Sequence, residues 1–356
     1  MNKKLPMKPK RLRAHLDQHL HILDTLPFAI LQVNKKYRVV WANLAANDLL
    51  QMNPINQTIE EIFANDVLYD AVEACDQENE EIRFEFEWGT RPRLSILATI
   101  TPMQQISAQG GRMIITLQDL TTQRQTESVR ADFVANVSHE LRTPLSTLVG
   151  FIETLQGPAK GDVQAAEKFL GIMREQAGRM SRLVEDLLSL SKIEMNASVV
   201  PSGSIAINRL IETVAESLLL QAETRGQKIK IKAKNDYAVR GDADELTQVF
   251  WNLIENALKY GPDGQTVTVK IGSESNDQEV RVKVIDQGEG IEEKHLARLT
   301  ERFYRVDKGR SRERGGTGLG LAIVKHIVAR HRGKLVISSA LEEGSTFSVV
   351  LPSHKE

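Results

Sequence analysis

The middle of the chain carries two long amphipathic patterns. Apolar residues from Phe133 to Leu155 step by threes and fours, close to the helical period of about 3.6 residues. A second stripe from Phe169 to Leu190 alternates fours and threes, as a heptad does. Gly157-Pro158 and Gly161-Asp162 interrupt the helix between them. The pattern predicts a helical hairpin, and because one hairpin cannot cover its own apolar stripe, we expect a homodimeric four-helix bundle.

Shorter elements of mixed type flank this hairpin on both sides. Before it, the pattern predicts strands at Ala29–Val33, Arg38–Trp41, Glu81–Trp88, Arg93–Ile100 and Arg112–Leu117, with helices at Ala42–Leu50 and Thr58–Ala74. After it, strands are predicted at Lys228–Lys234, Thr266–Ile271, Glu279–Ile285, Lys334–Ser338 and Thr346–Leu351, with helices at Ile207–Arg225, Asp244–Tyr260, Glu292–Arg302 and Leu319–Arg330.

These patterns together predict a multidomain α+β protein. We expect a basic tail over residues 1–19, a small α+β domain over 20–120, the hairpin domain over 121–200 and an α/β layer domain over 201–356.

Composition narrows the class of protein. A net charge of -1 over 356 residues argues against a wholly basic nucleic-acid binder, so no direct nucleic-acid contact is expected. The single cysteine, Cys75, excludes an intramolecular disulfide. No run of about 18 apolar residues is present, and a cytoplasmic setting is expected.

The N-terminal segment is the exception to this balance. Met1–Arg13 carries six cations and no acid. A solvated tail is the simpler interpretation, and a peripheral contact with anionic lipid is the alternative. We interpret His15, His19 and His21 as a solvated helical lead-in, in preference to a metal or haem site.

His139 stands out on the first helix of the hairpin. It lies two residues from Val137 and two from Leu141, about 200° around the helix from each, so the apolar stripe faces away from it. An exposed imidazole is nucleophilic near pH 7, and the adjacent Glu140 could orient the ring or take its proton. Thr143, one turn further on, shares the face of His139. A merely solvated surface histidine is the alternative.

Three clusters in the last third of the chain suggest a nucleotide site. On the helix Asp244–Tyr260, the side chains of Asn252, Asn256 and Lys259 fall together, opposite the apolar face. Amide oxygens suit Mg²⁺ and a lysine suits phosphate, although a solvated polar face would show the same pattern. Val284–Ile291 is a strand that ends in an acid and two glycines, where a carboxylate can accept from an exocyclic amine and a plain turn is the alternative.

The third cluster is a glycine-rich run from Gly315 to Ile323 that leads straight into a helix. Free backbone N–H groups at a helix start bind phosphate. The run matches neither a Walker lysine motif nor G-x-G-x-x-G after a strand. The preceding loop is basic and could fold over a triphosphate, although a solvated loop is the alternative; its cations are Lys308, Arg310, Arg312 and Arg314.

Taken with Phe133–Leu145, these strings resemble the sensor histidine kinases of two-component signalling over about 230 residues, from Thr121 to Leu351. The family's H box matches at His139, its N box at Asn252–Tyr260, its G1 box at Asp286–Gly290, its F box at Glu301–Asp307 and its G2 box at Gly316–Gly320. Leu20–Leu120 resembles a PAS sensor domain, with Leu26–Ile30 and Trp41-Ala42-Asn43 as its marks. The order of the domains is similar to that of the phosphate-regulon sensor kinases.

The resemblance implies a phosphotransfer site on the hairpin. His139 would take the γ-phosphoryl group of ATP on a ring nitrogen, with Glu140 as the base. The group would then pass to an aspartate in the receiver domain of a response regulator. Thr143 would orient water when the enzyme dephosphorylates that regulator.

The resemblance also implies the phosphate end of an ATP site, within a domain of the gyrase, Hsp90 and histidine kinase type. Asn256 would ligate Mg²⁺, with Asn252 close to the metal and the phosphates, while Lys259 and Arg305 would touch phosphate oxygens. Gyrase- and Hsp90-like ATPases carry a glutamate where Asn252 stands. The absence of this glutamate here argues that the phosphoryl group is transferred to a side chain and not to water.

At the other end of this implied site, Asp286 would accept from the adenine amine and Tyr260 would lie along the nucleotide. Glycines would allow close approach of the backbone and closure of a lid, namely Gly288, Gly290, Gly316, Gly318 and Gly320. Two other functions stay open: a signalling scaffold whose ATP site times a conformational change, and a net phosphatase of the regulator. The family allows either labelling of His139 within a protomer or labelling across the dimer.

Overall fold

A computed structural model describes residues 22–354, except 65, 90–92, 105–106, 108–109, 197–198, 275–277 and 307–315. The basic tail, the three histidines before residue 22 and the basic loop over 308–314 therefore lie outside the described residues. The chain divides into two compact units, residues 1–134 and 135–356. Within the described ranges, no helix combines the length and the apolar character needed to cross a membrane.

The first unit is built on an antiparallel sheet of five strands. The strands are β1 Ala29–Asn34, β2 Val39–Ala42, β3 Ile82–Trp88, β4 Leu94–Pro102 and β5 Gly111–Asp119, in the order β2-β1-β5-β4-β3. Three helices join β2 to β3, namely α1 Leu44–Leu50, α2 Ile59–Phe63 and α3 Asp66–Glu78. The five predicted strands are thus confirmed, with ends that differ by one or two residues.

One predicted helix in this unit, Thr58–Ala74, is wrong as a single element. Thr58 and Glu61 form a capping box that starts α2, and Ala64 ends it in the left-handed region at φ 45°. The chain then restarts as α3. Both short helices bury apolar residues in the same core, including Ile59 and Leu68.

A buried asparagine fixes the start of α1 against the sheet. The Asn43 side chain accepts from the N–H groups of Ile30 and Ala46, both at 2.9 Å, and donates to the carbonyls of Leu23 and Phe28. All its polar capacity is met by backbone, which explains how a fully buried amide is tolerated here.

The long helix α4, Thr121–Gln156, is tied at its start to β3 and β4. The Thr121 hydroxyl accepts from the N–H of Ser95 at 2.9 Å, and Asp119 accepts from the N–H of Thr121 at 2.8 Å. One turn later, Arg124 forms a two-pronged ion pair with Glu85 of β3, with an Nη2–Oε1 distance of 2.6 Å. These bonds fix the first turn of the helix to the sheet.

The predicted hairpin is confirmed as α4 followed by α5, Val163–Met195, with Asp162 as the N-cap of α5. Much of the predicted apolar stripe stays open to solvent in the single chain. Leu145 is 51% exposed and Ile152 is 42% exposed. His139 is also exposed, whereas Val137 and Leu141 are half-buried.

The rest of the second unit is an α/β layer structure. Its main sheet has the order β11-β12-β10-β9-β7, with strands β7 Lys228–Ala233, β9 Thr266–Glu274, β10 Glu279–Ile285, β11 Lys334–Ala340 and β12 Gly344–Pro352. Only β7 and β9 pair in parallel among these strands. The helices are α6 Ile207–Ser217, α7 Leu219–Glu223, α8 Ala243–Tyr260, α9 Glu293–Leu296 and α10 Gly320–Arg330.

Three details of this unit differ from the sequence prediction. The helix predicted over Ile207–Arg225 divides at Leu218, which has φ -98° and ψ 0° and lies outside the helical region. The helix predicted over Glu292–Arg302 is only the short α9, since the chain continues in tighter turns in which Arg298 donates to the carbonyl of His295. A two-stranded sheet of β6 Gly203–Ala206 and β8 Ala238–Gly241 was not predicted.

Candidate active site

A cavity of about 730 Å³ lies between α8, the end of β10, the start of α10 and one side of α5. Eleven of its lining residues are the ones that the sequence assigned to a nucleotide, namely Asn252, Asn256, Lys259, Tyr260, Asp286, Gly288, Gly290, Arg305, Gly316, Gly318 and Gly320. The structure thus brings together side chains that are up to 68 residues apart in sequence. The three hairpin residues His139, Glu140 and Thr143 are not among the lining residues.

Helix α8 presents the amide face of the cavity. Asp242 caps its start, and its apolar face is fully buried, with Leu246, Phe250 and Leu253 at 0% exposure. This burial turns Asn252 and Asn256 toward the cavity, as the helical spacing predicts. Asn252 donates to the carbonyl of Gln248 at 2.9 Å, which leaves its Oδ1 on the side of α10.

Lys259 is the cation of this face. Burial lowers the pKa of Lys259 from its usual 10.5 to about 8, although Glu255 acts in the opposite direction. Arg182, Arg305 and Arg179 lower that pKa further by repulsion. A lysine held this way is partly deprotonated at mildly alkaline pH and gains most from an anionic ligand.

The carbonyl end of α8 is tied down by side chains that the sequence did not single out. Gln265 donates to the carbonyl of Ala257 at 2.8 Å and Gln227 donates to that of Leu258 at 3.0 Å. Arg225 donates to the carbonyl of Gly261 at 3.1 Å. Both glutamines are buried, Gln227 directly before β7 and Gln265 directly before β9, but a glutamine at such a position has many other uses, so the sequence did not identify them.

Asp286 lines the cavity directly after β10. This residue is 6% exposed, and its carboxylate accepts from the N–H groups of Gly288 at 2.9 Å and Ser345 at 3.1 Å. Burial raises the pKa of Asp286, and these two backbone bonds counteract the rise. Gly290 has φ 75°, and a Cβ there would lie 1.9 Å from the carbonyl oxygen of Ala340, so only glycine fits.

The start of α10 forms another wall of the cavity. Gly318 has φ 75° and accepts through its carbonyl from the N–H of Phe303 at 2.8 Å. A Cβ on Gly320 would lie 2.6 Å from Asn252 Oδ1, so this glycine lets the two helices approach. Helix α10 begins there without a side-chain cap, which suits a backbone N–H site for phosphate.

Arg305 connects this cavity to the hairpin. Its Nη2 lies 3.2 Å from Oε2 of Glu140, and the same oxygen lies 2.9 Å from Nη2 of Arg179 on α5. The side chain of Arg305 is 7% exposed, and its buried Nε has no hydrogen-bond partner within the described residues. One oxygen of the Glu140 carboxylate, immediately after His139, is thus contacted by two cations. Thr143 donates to the carbonyl of His139 at 3.2 Å.

Several further contacts join α5 to the cavity wall. Asp186 accepts from the hydroxyl of Thr317, beside Gly318, at 2.7 Å, and burial raises the pKa of Asp186. Ser189 donates to Gln248 of α8 at 2.8 Å. Neither Asp186 nor Ser189 could be identified from the sequence, because each is an ordinary polar residue beside an apolar stripe.

Comparison with known families agrees with this geometry. Residues 129–196 match the His Kinase A (phospho-acceptor) domain. Residues 241–355 match the family described as histidine kinase-, DNA gyrase B- and HSP90-like ATPase. The first match covers His139 and the second covers the eleven lining residues assigned to the nucleotide.

Individual relatives extend the match over almost the whole chain. The phosphate regulon sensor protein PhoR of Pseudomonas aeruginosa is 34% identical over 353 residues, which are 95% of this chain and 75% of that protein. The sensor histidine kinase WalK of Bacillus subtilis is 38% identical over 244 residues, 68% of this chain and 40% of that protein. The crystal structure of the histidine kinase ThkA in complex with the response regulator protein TrrA shares the fold. That match has a TM-score of 0.53 at 23% identity over 94% of this chain and 98% of the other. The chain therefore belongs to the sensor histidine kinases of two-component systems, and its activity is that of an ATP-dependent protein histidine kinase.

Proposed function

We propose that this kinase uses the 730 Å³ cavity to bind Mg-ATP, labels His139 with its γ-phosphoryl group and passes that group to an aspartate of a response regulator. The observation that carries the proposal is the Arg305–Glu140 ion pair. It links a lining residue of the cavity to the residue beside His139.

The lining residues suggest how ATP lies in the cavity. Asp286 is fixed by two backbone N–H groups, so its remaining acceptor capacity suits the exocyclic amine of adenine. Lys259, Arg305 and the first turn of α10 supply positive charge and N–H groups, and the triphosphate would lie against them. Tyr260, on the last turn of α8, would lie along the nucleotide between them.

The residues at the phosphate end fit Mg²⁺. Asn256 and Asn252 offer neutral oxygens beside the expected phosphates. Within the described residues no group of three or more His, Cys, Asp and Glu side chains could hold a metal alone. Mg²⁺ commonly takes one or two protein oxygens together with phosphate oxygens and water, so this donor set suits a metal that arrives with ATP. Its role when bound would be to neutralise charge on the β- and γ-phosphates.

For this reaction the protein must position the γ-phosphate beside His139 and accept one proton. A ring nitrogen of His139 forms a bond to the γ-phosphorus while the bond from that phosphorus to the bridging oxygen breaks, and ADP leaves. The proton of the other ring nitrogen passes to the Glu140 carboxylate. Transfer to an aspartate oxygen of the regulator then breaks the N–P bond, and the ring takes back a proton from Glu140, which restores His139.

Radiolabelling with ATP and Mg²⁺ tests the assignment. Wild type should acquire acid-labile, base-stable label, and His139→Gln should acquire none, while His354→Gln near the C-terminus serves as the matched control. If His139→Gln labels as strongly as wild type, the assignment is wrong. ATP binding and steady turnover without label would favour the scaffold function instead.

We further propose that the chain works as a homodimer of three-domain protomers. Exposed apolar residues along the hairpin, such as Leu145 and Ile152, support a four-helix bundle in which a second hairpin covers them. Labelling of mixed dimers, one chain His139→Gln and the other Asn256→Ala, distinguishes transfer within a protomer from transfer across the dimer. Label appearing only on the Asn256→Ala chain indicates transfer across.

The first unit is proposed to be the sensor domain, of PAS type. The strand order β2-β1-β5-β4-β3 and the helices between β2 and β3 support this, together with the bonds that tie Thr121 and Arg124 to the sheet. Similarity to PhoR supports a role in signalling of phosphate supply. Phosphotransfer profiling against the response regulators of the host would identify the partner.

Thr143 supports a second activity, dephosphorylation of the regulator. Its hydroxyl lies one turn after His139 on the exposed face. Thr143→Ala should leave labelling of His139 intact and slow the loss of phosphate from the regulator; an unchanged rate of loss contradicts the role.

A further inference from the structure

The carboxylate of Glu140, next to His139, is contacted by two arginines from different parts of the chain. Glu140 is 14% exposed, and Arg179 and Arg305 meet the same Oε2 atom, at 2.9 and 3.2 Å. A buried carboxylate with two cations on one oxygen is held in one orientation, because moving it would leave two guanidinium groups without their partner.

The two arginines differ in what else they can bind. Arg305 lines the nucleotide cavity and keeps an Nε without a hydrogen-bond partner within the described residues. Under the function proposed above, it turns to the phosphates when ATP binds. Arg179 is not one of the residues that line the cavity within the described part of the chain. It lies on α5, and Glu140 lies on α4, so both belong to the same hairpin.

This placement matters if the hairpin and the nucleotide-binding part move relative to each other. A contact within the hairpin persists through such a movement, whereas the Arg305 contact does not. The carboxylate therefore keeps one fixed partner throughout the cycle. General-base catalysis depends on an oriented base within hydrogen-bond reach of the proton.

We propose that Arg179 is a positioning residue for autophosphorylation, which holds the Glu140 carboxylate toward the His139 ring after Arg305 has moved to the nucleotide. The inference rests on the proposed role of Glu140 as the base. The inference assigns Arg179 no contact with ATP. Substitution of Arg179 should therefore change the rate of labelling and not the binding of the nucleotide.

Autophosphorylation kinetics of the full chain test the inference. Arg179→Gln keeps the size and polarity of the side chain but removes its charge. We expect kcat for labelling of His139 at pH 7 to fall at least about tenfold, a part of the roughly 10²- to 10⁴-fold that a general base contributes, while KM for ATP changes by less than about twofold. Arg179→Lys keeps the charge without the planar fork, so its kcat should lie between those of Arg179→Gln and wild type.

The matched control is Arg174→Gln, at an exposed position on the same helix, which should label like wild type. A double-mutant cycle with Glu140→Gln completes the design. If Arg179 acts through Glu140, then Arg179→Gln should slow the Glu140→Gln enzyme by no more than about twofold.

Three results would overturn the inference: wild-type kcat in Arg179→Gln, a rise in KM that accounts for the whole loss of kcat/KM, or an equal slowing with and without Glu140. If Arg179→Gln does not fold, Arg179→Lys decides, and a wild-type kcat in that variant overturns the proposal. Wild-type labelling by Glu140→Gln alone would instead refute the assignment of Glu140 as the base.

Discussion

If Lys259 contacts the phosphates as proposed, its pKa makes ATP binding depend on pH in a way that can be measured. Burial and the neighbouring arginines lower the pKa of this ammonium group to about 8 in the nucleotide-free chain. A triphosphate beside it would favour the charged form and raise the pKa toward or above its ordinary value. Binding must therefore be coupled to proton uptake at mildly alkaline pH.

The magnitude follows from linkage. When the ligand binds only the protonated form, Kd scales with one plus ten to the power of pH minus pKa. With a pKa of about 8, this factor is about 1.1 at pH 7 and about 11 at pH 9. Kd should thus rise about tenfold over that range, which is about 1.4 kcal/mol of binding free energy. The sign is fixed because a lysine loses its charge as pH rises.

Calorimetric titration with a non-hydrolysable ATP analogue, in the presence of Mg²⁺, measures both the Kd and the protons taken up. Near pH 8, wild type should take up about half a proton per nucleotide, seen as a difference between buffers of different ionisation enthalpy. Lys259→Arg is the matched control, since a guanidinium stays charged throughout this range. Its Kd should be nearly constant from pH 7 to 9.

Two outcomes would refute the reasoning. A flat Kd in wild type would mean that Lys259 is either already charged or does not meet the phosphates. The same tenfold rise in Lys259→Arg would mean that another group titrates. The Cys75 thiol lies in the first unit and burial raises its pKa, so it is not a candidate for that group at pH 8.

Two other changes test the cavity wall. Asp186→Ala should tighten binding of the ATP analogue by a few-fold, about 1 kcal/mol, since Asp186 accepts from Thr317 and repels phosphate; weaker binding would contradict this. Gly290→Ala should lower the free energy of unfolding by more than about 2 kcal/mol, because its Cβ would lie 1.9 Å from the carbonyl oxygen of Ala340. Gly264→Ala is the control in chemical denaturation, since it has a similar φ of 77° but nothing within 4 Å, and equal losses in the two variants would show that backbone strain alone decides.

The part of the site that the sequence predicted depends on local regularities. Helix α8 was predicted to within one residue at its start because its apolar face repeats with the helical period, and the same repeat turned Asn252 and Asn256 to the other side. The glycines that precede α10 are likewise a local signal, since φ 75° at Gly318 suits few other residues.

The parts that the sequence did not predict depend on contacts between residues far apart in the chain, or on turns that tertiary structure imposes on the backbone. Nothing near Arg305 in sequence shows that it pairs with Glu140, which is 165 residues away. The helix predicted over Glu292–Arg302 fails because the chain must turn to place Phe303 at Gly318, and that requirement comes from tertiary structure. Helical periodicity alone cannot report it.

The contacts of the hairpin have a consequence for the nucleotide. Two donors of the cavity wall, the Arg305 guanidinium and the Thr317 hydroxyl, are each engaged by a carboxylate of the hairpin, Glu140 and Asp186 respectively. Phosphate oxygens seek the same kinds of donor, so the hairpin acids and a triphosphate compete for them. Coupling between two binding events is reciprocal, and whatever affinity the docked hairpin removes from ATP, bound ATP removes from the docking of the hairpin. The tighter binding expected for Asp186→Ala would measure one side of this coupling. Under the proposed function, the same exchange that frees Arg305 for ATP would leave the Glu140 carboxylate, beside His139, in contact with Arg179 when His139 needs a base.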